Sequence, residues 1–172
     1  MLKMIGMILI IGSFTGMGIT QRQQLGGRVR ALEAMMTAAD LIGSELAFRL
    51  TGIPDIIRML AQDSRAQVAL IFGKMKRMIE KDDGLSLTYK WMKAFRQYGT
   101  QTGLTPQDVA VLCDMSDFIG KYDAASQKKC LEHSRKRLEH QLEQARSELK
   151  SKGTVYRTCC IAAGILLVLV LI

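Results

Sequence analysis

Residues 131–144 read LEHSRKRLEHQLEQ, in which Leu-Glu-His recurs one heptad apart. Leu131, Leu138 and Leu142 fall on one side of a helix, and Ala145 and Leu149 prolong the seam, close to a coiled-coil pattern. Glu132 with Lys136, and Glu148 with Lys152, stand four residues apart on the solvent side, an order that favours a helix. A helix over residues 124–152, capped by Asp123, is therefore predicted. One apolar stripe needs partners, and they must lie upstream.

They do. Val29, Leu32, Met36, Ala39, Ile42 and Leu46 recur at three and four, a first long helix. Gly52-Ile53-Pro54 breaks it, and Pro54 suits the first position of a second helix bearing Ile57 and Leu60. Val68, Ile71, Met75 and Met78 mark a third, ended by Asp82-Asp83-Gly84. Ser86 caps a fourth, with Leu87, Trp91, Ala94 and Tyr98 on one face. The fifth has the clearest start: Thr105 as cap, Pro106 next, Asp108 reaching back as a capping-box acid, and Leu104 with Val109 as a hydrophobic staple. Leu112, Met115 and Ile119 continue its buried face until Gly120. The reading is all-α: an antiparallel bundle of about six helices.

Apolar residues make up 48% of the 172-residue chain, yet they pile up in residues 4–19 and 159–172, with nearly all of the +8 net charge between. As a helix the first run is about 24 Å long, and residues 155–172 reach roughly 27 Å, short but workable against a hydrocarbon core of about 30 Å. Only Lys3 precedes the first run, and Gln21-Arg22-Gln23 follows it where a small-residue cleavage site belongs, so a retained span is expected over a signal peptide. Arg22, Arg28, Arg30, Lys150, Lys152 and Arg157 flank the inner ends, so the middle is predicted cytoplasmic. The expected organisation is a transmembrane helix at 1–20, a cytoplasmic helical domain at 21–154 and a transmembrane helix at 155–172. Gly12 with Gly16, and Cys160 with Gly164, provide small-xxx-small faces for packing between spans.

Catalytic motifs are not evident. His133 and His140 lie about 10.5 Å apart along a helix, too far to share one zinc, and neither follows a Glu by three residues. No Gly-rich loop follows a strand, and Ser, Cys and His form no nucleophile motif. The four cysteines suggest no disulfide framework. The expectation is a non-enzyme without metal or cofactor. Lys128-Lys129 and Arg135-Lys136-Arg137 could meet phosphate, but they interleave with Glu132 and Glu139 and lack aromatic neighbours. Nucleic acid is not the expected partner. Anionic lipid suits Arg22, Arg28, Lys150 and Lys152 better.

The ordered features resemble the stage III sporulation protein AB family of endospore-forming bacteria, over nearly the whole chain. They begin with MLKMIG and continue with ELAFRLTGIPD (45–55), Phe72, Trp91 and LTPQDVAVL (104–112). The most specific piece is IGKYDAASQ (119–127), through Gly120, Asp123 and Gln127, and YRTCCIAAGILLVLVLI (156–172) resembles the family's terminal span. Gly52 stands where the family carries proline, and Cys159-Cys160 where Leu-Gly is usual. The resemblance implies a cytoplasmic domain similar to F-type platform proteins of type II secretion and type IV pilus systems. It also implies a membrane complex joining mother cell and forespore during engulfment, on the mother-cell side of the forespore membrane. The implied partners are a stage III sporulation protein AA-like ATPase, other subunits of that complex and the bilayer; self-association stays open.

A docked cytoplasmic ATPase must meet the domain beyond the lipid headgroups. The first and last helices begin and end at the membrane, so their far ends lie roughly 30–40 Å from it. Those ends carry Arg49, and Lys128 with Lys129, the predicted partner surface. The competing reading is a membrane-tethered module that binds anionic lipid or nucleic acid through its basic helix face.

Overall fold

A computed structural model of the chain describes residues 2–49, 51–63, 65–81, 83–116 and 124–171. Among them there are six α-helices and no strand: α1 Leu2–Ser44, α2 Ile53–Leu60, α3 Ala66–Ile79, α4 Leu87–Tyr98, α5 Pro106–Asp114 and α6 Ala124–Leu171. The chain divides into two compact units, residues 1–29 with 144–172, and residues 30–143.

The sequence reading treats each terminal apolar run as a separate helix, but α1 and α6 run through without a break. No proline interrupts either join, and a glycine such as Gly153 weakens a helix by only about 1 kcal/mol. Side chains of residues 1–19 and most of those beyond 152 lie outside the described set, so the packing assigned to Gly12, Gly16, Cys160 and Gly164 does too. Among the described residues no helix is long and apolar enough to cross a membrane. Within the terminal unit, Arg28 reaches Glu148 at 3.0 Å and Lys152 reaches it at 2.9 Å. The Lys152 ammonium, with Arg28 beside it, holds the Glu148 carboxyl below the usual range.

In residues 30–143, α2 packs on α3, α3 on α4 and α4 on α5. Phe72, Trp91 and Phe95 centre this core: Phe72 meets Trp91 edge-on at 5.7 Å and Phe95 at 5.9 Å. Trp91 Nε1 donates to the Leu112 carbonyl at 2.8 Å, so the buried indole loses no hydrogen bond. Phe95 belongs to the core although the α4 stripe read from sequence omits it. Gly99 lets α4 and α5 close up, since a Cβ there would lie 2.5 Å from the Phe95 carbonyl oxygen and 2.6 Å from Val109 Cγ2.

Local signals set the ends. Ser86 Oγ accepts from the Tyr89 N–H, and Thr105 with Asp108 forms a reciprocal capping box. Pro54 occupies the second helical position, because Gly52 is the cap and Ile53 comes first. α5 stops at Asp114, short of Gly120, where the Ser116 N–H turns back to the Cys113 carbonyl at 2.9 Å. Ile119, Gly120 and the cap residue Asp123 lie outside the described residues. On α1 the buried face is broader than the predicted stripe. Ala31, Ala34, Met35 and Ala38 are buried, whereas Met36, and Leu46 in the turn that follows α1, are only half-buried.

Candidate docking surface

α1 passes into a π-helical turn at Glu45–Arg49. The Thr51 N–H reaches back to the Glu45 carbonyl at 3.3 Å, and Thr51 Oγ1 donates to the Glu45 carboxylate at 2.8 Å. Arg49 lies 3.3 Å from the same carboxylate. Glu45 is buried, so these two partners offset a desolvation penalty that an unpaired carboxylate would carry in full. The turn also leaves Phe48 87% exposed. A large aromatic side chain thus stands in water on a π turn, a backbone feature often found at functional sites.

Phe48 overlooks a groove of about 250 Å³ lined by Ala39, Gly43 and Leu46 from one side and Gln127 and Leu131 of α6 from the other. Gly43 permits the approach: a Cβ there would sit 2.5 Å from Leu131 Cδ2. The groove is smaller than the roughly 300–1,000 Å³ of small-molecule sites and has room for one or two side chains. Arg49 adjoins Phe48 in the chain, and exposed Lys129 lies between groove residues Gln127 and Leu131. Both of these predicted partner residues thus neighbour groove residues in the chain, but neither lines the groove itself. The side chain of Lys128 lies outside the described residues. Phe48 itself was not singled out, though its place off the α1 stripe was a signal.

Two arginines of the α6 basic run are tied to other helices. Arg135 Nε donates to Asp40 at 2.7 Å and Arg137 to Asp114 at 2.7 Å, tying α6 to α1 and α5. Ser134, buried in the seam, was not foreseen. Glu132 and Lys136 make no ion pair among the described residues, while Glu148 and Lys152 do. His133 and His140 are both exposed. Among the described residues no three His, Cys, Asp or Glu side chains gather as a metal site. Burial pushes the Cys113 thiol up, against the pull of Arg96, which keeps it protonated and poorly nucleophilic.

Fold and surface together define an all-helical protein with long first and last helices and a largely apolar groove beside a π turn. The chain belongs to the stage III sporulation protein AB family, whose family model matches residues 3–172. It is similar to stage III sporulation protein AB of Bacillus subtilis (strain 168), 20% identical over 171 residues and covering 99% of each chain. A solved structure of a stage III sporulation protein AB shares the fold, with a TM-score of 0.60 at 20% identity, over 72% of this chain and 96% of the other.

Proposed function

We infer that this sporulation protein is a non-enzymatic platform subunit of a secretion-like membrane complex linking mother cell and forespore. Residues 1–20 and 155–172 anchor it as two spans, and residues 21–154 work on the cytoplasmic side. The apolar runs and the six basic residues at their inner ends support that topology. A stage III sporulation protein AA-like ATPase docks at the end of the helical domain away from the membrane, at Arg49, Lys128 and Lys129. The observation that carries the docking reading is Phe48, exposed above a side-chain-sized groove in the same segments. The lipid- or nucleic-acid-binding alternative loses support, because Arg135 and Arg137 already hold carboxylates.

Two experiments test this reading. A reporter fused after Ile172 is expected to be extracytoplasmic, and cytoplasmic activity would overturn the two-span topology. Reversing Lys128→Glu with Lys129→Glu is expected to weaken recovery of the ATPase complex, while Lys150→Glu with Lys152→Glu alters membrane seating. Normal recovery with the first pair would remove that site.

A further inference from the structure

The outer face of α4 carries Tyr89, Lys93 and Arg96, spaced four and three residues apart and so on one side of the helix. Tyr89 is 45% exposed, and Lys93 Nζ stands 5.9 Å from its ring centroid, within cation–π range. With Met92 and Gln97 they line a surface hollow of about 330 Å³. Arg96 also borders an adjoining hollow of about 390 Å³ against α5, walled by Val109, Ala110 and Cys113. Arg96 is common to the two hollows.

Among the described residues, neither Lys93 nor Arg96 has an ion-pair partner. Elsewhere Arg58, Arg65, Lys90, Arg135 and Arg137 each hold a carboxylate. The one carboxylate that borders the second hollow, Asp114, is taken by Arg137 at 2.7 Å. The face thus pairs two uncompensated cations with an apolar floor and an exposed tyrosine, a residue type enriched at protein interfaces.

We propose that this α4–α5 face is a second docking surface, which takes an acidic amphipathic helix of another subunit. Its carboxylates meet Lys93 and Arg96, and its apolar side chains fill the hollows beside Met92 and Val109. Phosphate is the poorer match, since polyanion binding draws on a run of cations along a backbone and would leave the apolar floor unused. The proposal rests on the reading of this chain as a subunit of an assembly, but its site is separate from the Phe48 groove.

The test uses the full-length chain in sporulating cells, with the photocrosslinker p-benzoylphenylalanine in place of Tyr89 and the adduct sequenced by mass spectrometry. The expected adduct is a net-negative helical segment of another subunit. Reversing Lys93→Glu with Arg96→Glu should lower its yield at least tenfold, and replacing the partner's carboxylates by lysine should restore it. That rescue separates recognition from folding, because a misfolded chain is not restored by a change in its partner. An adduct to nucleic acid or lipid, to a second copy of this chain or to its own residues 117–123 would overturn the proposal. So would no adduct, or a yield indifferent to the reversal. If this face fails while Lys128→Glu with Lys129→Glu still weakens complex recovery, docking survives without a second surface. If both fail, the docking reading falls with it.

Discussion

Two helices carry clustered cations, and their surroundings treat them oppositely. On α6, Arg135 and Arg137 are drawn to Asp40 and Asp114, residues 95 and 23 positions away in the chain. On α4, Lys93 and Arg96 find no carboxylate among the described residues, and Lys93 leans on an aromatic ring instead. The α6 run looks like the binding surface when charges are counted along the sequence. Which cations stay available depends on the acids that other helices bring opposite them. Cations used to join helices add to stability, and those left over keep a charge that no carboxylate among the described residues balances.

That contrast requires α4 to be held rigidly from its inner face. Trp91→Ala removes the centre of the aromatic cluster and its hydrogen bond to Leu112, and should cost about 3–5 kcal/mol. Denaturation of the full-length chain in micelles measures it, and an unchanged midpoint would mean that the cluster does not hold the helix. Thr105→Ala opens the α5 capping box and should cost about 1 kcal/mol, with Thr105→Ser losing less. Arg137→Ala should cost only about 0.2–1 kcal/mol, because the pair is half exposed, and Lys93→Ala should cost no more than about 0.5 kcal/mol, through its contact with the Tyr89 ring. A double-mutant cycle with Asp114→Ala sharpens the comparison: coupling is expected for Arg137 and none for Lys93.

The smallest effect is a pH dependence at Asp63. The Arg65 guanidinium, bonded to the Asp63 carboxylate, holds its pKa below the usual range despite the opposing effect of burial. A carboxyl whose folded pKa is depressed stabilises fully above its unfolded value, about 4, and loses that contribution as pH falls through the folded value. The stability gap between the native chain and Asp63→Asn should therefore be constant near neutral pH and narrow in acid. A gap that widened in acid would contradict the pairing.

Much of the helical order could be read from the chain, because each cue is local. Thr105 and Asp108 sit within one turn, and Val68, Ile71 and Met75 mark their own face. What escaped depends on contacts between distant segments. Phe95 looks like any residue beside a stripe until Phe72 packs against it at 5.9 Å. At the π turn Glu45 is buried against Thr51 and beside Arg49, and nothing in ELAFR announces that burial. Phe48 is visible as an aromatic residue, but its exposure is a consequence of that turn. Arg49 and Lys129 are expected from the geometry of long helices alone, while the groove near their segments depends on Gly43 lying close to Leu131, a contact 88 positions apart in the chain.

The central claim is that this chain works by presenting a surface, and Phe48 tests it most directly. Full-length chain carrying Phe48→Asp, recovered from sporulating cells, should bring down at least tenfold less of the stage III sporulation protein AA-like ATPase than the native chain. Its denaturation midpoint should be unchanged, because the native side chain is 87% exposed and supports no core. Recovery at the native level, with the variant folded and inserted, would contradict docking through this groove.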